Sequence, residues 1–244
     1  MDFSKVLFRC SSIGNLMVEA KTKEDKQAGK LSETSKTYLV DIYVSNKYGR
    51  NNEFTNKYVE KGLMVEEDSI TLYSRIKKDF YKKNEDMLSN DFLKGTPDLY
   101  VGETIQQAER IIDIKSSWDI YSFFRTISKP LNKTYYWQMQ GYMALTGATS
   151  ATLAYCLIDT PEVLINDEKR RMMYKMGVAT EVNELYMEAC KLIDFNMSYE
   201  DIPLKNRLLE YEIERNDEDI DTMYKKITNA RIFLQELDEK LSKH

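Results

Sequence analysis

Histidine and cysteine are almost absent from this chain of 244 residues. The sole histidine is His244, and the three cysteines, Cys10, Cys156 and Cys190, lie far apart in the sequence. These numbers argue against a Ser-His-Asp triad, a histidine-ligated zinc site, a cysteine-ligated cluster and a disulfide framework. Any metal would therefore be held by oxygen ligands, which favours Mg²⁺, Mn²⁺ or Ca²⁺ over zinc.

Long apolar runs and flexible linkers are missing as well. No apolar run approaches the roughly 18 residues of a membrane span, and residues 1–9 lack the core of a signal peptide. We therefore expect a soluble protein of the reducing cytoplasm, without membrane association. Because no Gly-, Ser- or Pro-rich linker divides the chain, we expect a single domain over 1–244, with a charged mobile insertion at 20–37 and a C-terminal helix at 215–244.

Excess positive charge is also lacking, since the formal net charge is −5. This balance argues against a protein that coats nucleic acid by bulk attraction, because phosphate binding depends on clustered Lys and Arg. Two local basic clusters remain as candidates, one around residues 75–83 and one at 125–133. Such runs are also common on solvated helix faces, so both interpretations stay open.

One strand-like segment carries charge among apolar residues. The Asp/Glu-x-Lys spacing occurs five times in the chain, but only Asp113 and Lys115 are embedded in an isoleucine-rich stretch. Alternate strand side chains point to opposite faces, so this pair shares one face while Ile114 points to the core. Buried charges need a partner, and a divalent cation or a structural ion pair at the strand end would each serve.

Hydrophobic periodicity predicts alternating helices and strands. The helices are expected at 56–83 with a break near Gly62, at 135–145, at 167–194 and at 217–241. The strands are expected at 98–101, 109–115, 150–158 and 207–214. No glycine-rich phosphate-binding loop occurs, so a nucleotide hydrolase has little support.

Four short motifs, taken in order, resemble the PD-(D/E)xK nuclease superfamily, and within it the phage lambda-type exonucleases and their YqaJ-like relatives. The motifs are Gly62-Leu-Met-Val-Glu66, Gly95-Thr-Pro-Asp98, Asp113-Ile-Lys115 and Gln138-Met-Gln-Gly-Tyr142. The resemblance covers roughly residues 5–160. It implies an α/β fold with a restriction-endonuclease-like core, in which helices flank a central mixed β-sheet, and a C-terminal helical extension.

The resemblance also implies a catalytic site that contains Mg²⁺, with Mn²⁺ as a substitute. The expected metal ligands are Glu66, Asp98, Asp113 and the carbonyl oxygen of Ile114. Lys115 would orient the attacking water or stabilise the added negative charge. Gln138 and Tyr142 would support the lysine or contact substrate, although both could also be half-buried helix residues.

Near the N-terminus, Arg9 and Ser12 resemble the basic residue and the serine that such exonucleases place close to a terminal 5′-phosphate. The alignment equally allows Lys5 or Ser11, and an N-cap serine for a helix beginning near Ile13 explains the same residues. Residues 20–57 match nothing in the family, and Asp113 stands where glutamate is frequent.

The function implied is a Mg²⁺-dependent 5′-to-3′ exonuclease that degrades linear double-stranded DNA in phage-type recombination. The resemblance further implies a homo-oligomer, a trimer in the family, and a single-strand annealing protein as partner in the cytoplasm of a bacterial host. Alternatives are a structure-specific or single-strand endonuclease on the same core, and a catalytically inactive DNA-binding or assembly module. A purely helical scaffold would leave the Pro-Asp turn and the charged strand unexplained.

Overall fold

A computed structural model describes residues 2–51 and 56–243, so His244 lies outside the described residues. Its α-helices are α1 (Ile13–Leu16), α2 (Lys23–Gln27), α3 (Glu33–Tyr48), α4 (Lys57–Met64), α5 (Glu66–Lys77), α6 (Ile120–Ile127), α7 (Lys133–Thr146), α8 (Glu162–Met176), α9 (Glu184–Met197) and α10 (Asp217–Ser242). Its strands are β1 (Phe8–Arg9), β2 (Leu88–Ser89), β3 (Leu93–Gly95), β4 (Leu99–Val101), β5 (Arg110–Ser116), β6 (Ser150–Cys156) and β7 (Leu208–Glu214).

The larger sheet has the strand order β4-β5-β6-β7. Strand β5 pairs with β6 in parallel and with β4 antiparallel, and β7 pairs antiparallel with β6. A second, smaller sheet has the order β1-β3-β2. The predicted α/β fold with a mixed sheet flanked by helices is thereby confirmed, as are the four predicted strands.

The main core lies between the larger sheet and the helices α1, α3, α7 and α10. Buried side chains of α7, such as Met139 and Met143, pack with Ile111 and Leu153 from the central strands. A separate cluster on the other face of the sheet joins α5 to β4, β5 and β6 and includes Ile114. The central strands are therefore covered on both faces, which explains their nearly continuous apolar sequences.

The helix expected at 56–83 is two helices, and its break is not at Gly62. The chain bends at Val65, whose backbone angles of φ −108° and ψ 15° separate α4 from α5. Helix α5 then ends at Lys77, because Lys78 adopts a left-handed conformation with φ 56°.

Two further predictions need correction. The helix expected at 167–194 is interrupted after α8 by Gly177, whose left-handed φ of 64° ends that helix before α9 begins. The segment 20–37, expected as a charged mobile insertion, contains α2 and the start of α3. Helix α3 begins there because the Ser32 side chain accepts a hydrogen bond from the Ser35 N–H, a regular N-cap.

The C-terminal helix is confirmed as α10. Ile220, Ile227 and Leu234 of its apolar stripe are buried, whereas Ile232 and Leu241 are exposed. Among the described helices, none combines the length and the apolar character needed to cross a membrane.

Candidate active site

The two charges of the central strand lie together, as predicted. Asp113 Oδ2 is 2.7 Å from Lys115 Nζ, and Asp113 is only 1% exposed. Its Oδ2 accepts no regular hydrogen bond, so the ion pair with Lys115 is the contact that compensates this oxygen. Lys115 remains partly exposed, and its ammonium lies 5.0 Å from the centre of the Tyr135 ring.

Neighbouring carboxylates keep Lys115 positively charged. Burial alone would lower the pKa of this lysine, but the carboxylates of Asp113 and Asp98 outweigh that effect and the net pKa is raised. Lys115 is therefore a cation held at the end of a packed strand.

Asp98 joins this pair across the sheet. Leu99 pairs with Ile112, and the same antiparallel register brings Asp98 beside Asp113. The Asp98 Oδ2 accepts a 2.7 Å hydrogen bond from the Ile114 N–H. Burial, followed by the Asp113 charge, raises the pKa of Asp98 to about 7, although Lys115 and the Ile114 N–H act in the opposite direction. The Asp98 and Asp113 carboxylates thus lie close together beside the Lys115 ammonium.

The turn that carries Asp98 is held by Asn84, which the sequence did not identify. The buried Asn84 donates from its backbone N–H to the Asp98 carbonyl oxygen at 2.8 Å and from its Nδ2 to the Pro97 carbonyl oxygen at 2.9 Å. Gly95 before the turn allows a close approach, because a Cβ there would lie 2.7 Å from Tyr142 Cε1. No local pattern around Asn84 signals this role, since its partners are 13 and 14 residues away.

Glu66 stands at the start of α5 and is paired with Lys83. Their side chains approach to 2.8 Å, and both are partly exposed. The Glu66 charge also contributes to the raised pKa of Asp98, after burial, Asp113 and the other local effects, so the three carboxylates interact electrostatically. The sequence placed Lys83 only in a basic cluster and did not foresee this ion pair.

Gln138 and Tyr142 of α7 lie directly behind Asp113. Gln138 Nε2 donates to Asp113 Oδ1 at 3.0 Å and lies 3.1 Å from the Tyr142 hydroxyl, and both residues are buried. This agrees with their spacing of four residues, which places both side chains on one face of α7. Burial and the Asp113 charge raise the pKa of Tyr142, so its hydroxyl stays neutral.

Arg9 and Ser12 are not brought into this cluster. They line a different cavity of about 480 Å³, together with Lys5, Tyr38 and Lys94. The Ser12 hydroxyl is 2.9 Å from the Tyr38 hydroxyl. Ser12 does occupy the N-cap position of α1, but its side chain makes no capping hydrogen bond.

An open cleft of about 690 Å³ leads to the charged cluster. Residues of α4 and α5 form one wall, and Trp118 with α6 residues such as Arg125 forms the other. Asp98, Ile114 and Lys115 line the base of the cleft, while Asp113 is buried beneath them.

Solved structures share this whole arrangement of elements. A phage-related exonuclease from Haemophilus somnus 129PT is 28% identical over 97% of this chain and 97% of its own, with a TM-score of 0.74. The chain is therefore similar to a phage-related exonuclease, which supports the resemblance that its four motifs show. An alkaline exonuclease from Laribacter hongkongensis shares the fold at 16% identity, with 99% of this chain and 93% of that chain covered and a TM-score of 0.62.

The Laribacter enzyme has also been crystallised in complex with dAMP, and that structure matches with a TM-score of 0.61. No protein-family model and no curated protein matches this chain.

The residues of this site fit a hard divalent cation with few protein ligands. In residues 2–51 and 56–243, no three acidic, cysteine or histidine side chains are gathered closely enough to hold a metal. Asp98 and Asp113 nevertheless adjoin, and the buried Asp113 Oδ2 is contacted by the Lys115 ammonium. Mg²⁺ is typically bound by one or two carboxylates, waters and substrate phosphates, and this donor set has that character.

Proposed function

We propose that this protein is a Mg²⁺-dependent deoxyribonuclease, able to use Mn²⁺, that degrades linear double-stranded DNA from its 5′ ends in phage-type recombination. The observation that carries the proposal is the buried Asp113 carboxylate, which is paired with Lys115 and adjoins Asp98 at the base of an open cleft. An ion pair with a purely structural role would need neither a second carboxylate nor access from solvent.

Asp98, Asp113 and the Ile114 carbonyl oxygen would hold the metal, with Glu66 added once it leaves Lys83. A bound Mg²⁺ supplies a Lewis acid that activates water and neutralises charge on the phosphate. Lys115, at the base of the cleft, orients the attacking water or stabilises the negative charge that develops on phosphorus. Gln138 keeps the Asp113 carboxylate in position through its 3.0 Å hydrogen bond.

DNA would enter along the cleft by local rather than bulk attraction. The net charge of −5 gives no general affinity for phosphate, so Arg125 at the cleft and Lys115 at its base supply the nearby cations. We retain Arg9 and Ser12 as candidates for a terminal 5′-phosphate, a role supported by the lysines that share their cavity. A homotrimer and a single-strand annealing partner belong to the same proposal and follow from the family resemblance.

The proposal is tested with three DNA substrates and one variant. Linear duplex with 5′-phosphates, closed circular duplex and single-stranded DNA are incubated with Mg²⁺ or with EDTA, beside Lys115→Ala. We expect Mg²⁺-dependent loss of the linear duplex alone, and none with the variant. Cutting of closed circles would replace the exonuclease with an endonuclease, and a lack of cutting on every substrate would favour a DNA-binding module.

A further inference from the structure

One face of α4 forms the wall of the cleft that leads to Glu66. Tyr58, Val59, Gly62 and Leu63 all line the cleft, and Glu66 follows on the same side at the start of α5. Apart from the glycine, these residues preceding Glu66 are apolar or aromatic, and their side chains are exposed. The wall is therefore a short apolar surface that ends at a carboxylate.

Gly62 leaves a notch in this surface, and the fold does not require the notch. No atom lies within 4 Å of the position that a Cβ on Gly62 would occupy. Its backbone does not adopt a positive φ, and the bend between the helices is at Val65. Glycine is one of the least favourable residues in a helix interior, so neither backbone geometry nor packing accounts for it.

The notch is also rigid, because α4 is anchored beside it. Lys61 is fully buried and donates to the Trp118 carbonyl oxygen at 2.8 Å and to Thr160 Oγ1 at 2.9 Å. The Tyr58 ring packs edge-on against Trp118 with 5.3 Å between ring centres. These contacts fix the helix against the loop at residue 118, so the space at Gly62 is not closed by movement of the wall.

We propose that the Gly62 notch receives one nucleotide of the DNA strand, with its sugar against the bare helix backbone and its base against the Tyr58 ring. This inference rests on the proposed nuclease function and extends it to a residue that determines which part of the substrate fits. An exposed aromatic ring beside a flat apolar surface is a stacking site for bases. Gly62 precedes Glu66 by four residues across the bend at Val65, and both line the same cleft.

The occupant is a nucleotide because the surface has an apolar part and a charged part. Its outer part is apolar and aromatic. Its inner end contains Asp98, which would bind a phosphate through a cation, and Lys115, which would bind it directly. A nucleotide matches both parts in one unit.

The test compares Gly62→Ala and Gly62→Leu with Met64→Leu, a control on the same helix whose exposed side chain does not line the cleft. We expect both Gly62 variants to keep or raise the melting temperature, by up to about 4 °C, because they improve helix propensity. The kcat/KM on linear duplex should fall by roughly tenfold for alanine and by about 10²-fold for leucine, while the control is unchanged. A purely structural glycine would show the opposite pattern, with lower melting temperatures.

Two further measurements separate the possible failures. The Mg²⁺-induced rise in melting temperature should persist in both Gly62 variants, since the carboxylates are untouched. Tyr58→Phe should retain activity and Tyr58→Ala should lose it, because stacking needs the ring and not the hydroxyl.

If wild-type protein digests DNA and Gly62→Leu digests it equally well, the inference is overturned. If the leucine variant is unstable, the activity of Gly62→Ala decides. If wild-type protein digests no DNA, the proposed function itself has failed.

Discussion

Lys83 Nζ lies 2.8 Å from Glu66 Oε2, so the glutamate expected to bind metal is already paired with a cation. The Asp98 charge also acts on Lys83, after the stronger effects of its own partner Glu66. Lys83 therefore stands where a divalent cation would compete with it for the same carboxylate.

Replacing Lys83 with alanine should strengthen metal binding. Removal of a positive charge beside Glu66 makes the site more negative, so the Kd for Mg²⁺ should decrease by roughly tenfold. Calorimetric titration measures this change. The exposed neighbour Lys82, changed to alanine, is the matched control, and a Kd that stays the same or increases in Lys83→Ala would remove Lys83 as a competitor.

Replacing Lys115 with alanine should preserve the fold and reduce kcat by at least about 10²-fold, the scale of a positioned catalytic group. The fold should persist because Asp113 keeps its hydrogen bond to Gln138. Lys77→Ala is the control, since Lys77 pairs with Glu210 at 2.6 Å and does not line the cleft. Equal rates for Lys115→Ala and wild-type protein would show that the Asp113 pair is structural.

Asp98→Asn should stabilise the metal-free protein and weaken its response to metal. The variant removes a buried charge next to Asp113, and the asparagine oxygen can still accept from the Ile114 N–H. We expect a gain of about 1–2 kcal/mol without metal at pH 8, and a smaller Mg²⁺-induced rise in melting temperature than in wild-type protein. Thermal melts with Mg²⁺ and with EDTA test both statements, and an undiminished Mg²⁺ effect would assign Asp98 to the turn alone.

Lys61 should give the protein a measurable dependence of stability on pH. Burial lowers the pKa of Lys61 from its ordinary value of 10.5 to about 8, and nearby Asp119 and Asp159 oppose the shift only in part. Between these two values the unfolded chain holds a proton that the folded protein lacks, so stability increases with pH across this window. Below pH 8 both states are protonated, and the full cost of the buried ammonium applies.

The comparison that isolates this effect is Lys61→Met. From pH 8 to pH 10, wild-type protein should gain about 2 kcal/mol relative to the variant. Denaturant unfolding at each pH measures the difference. Parallel stability curves for the two proteins would mean that Lys61 keeps its proton when the protein folds.

The charged strand was predictable because its signal is local. A period of two residues places Asp113 and Lys115 on one face, and the isoleucines among them indicate that the strand is buried. Asn84 and Lys83 could not be found in this way. Each acts on a residue more than ten positions away, so no local periodicity indicates the contact.

Helix boundaries show a different limit. The break at Val65 occurs at a residue that favours no special backbone conformation, whereas Gly62, the expected breaker, lies in regular helix. Tertiary packing of α5 on the sheet determines the bend there. The start of α3 at Glu33 was readable from its Ser32 cap, but the polar composition of 20–37 obscured it.

Strand β5 is hydrogen-bonded to β6 over its whole length and to β4 over residues 110–112, and its apolar side chains are packed on both faces. The amide protons of residues 110–112 should exchange with solvent only when the whole domain opens, so their exchange rates should report global unfolding. Asp113 and Lys115 follow directly on this segment, where β5 pairs with β6 alone and Lys115 lines the open cleft. The proposed nuclease site therefore lies at the border between a segment that should open only on global unfolding and a cleft that is open to solvent.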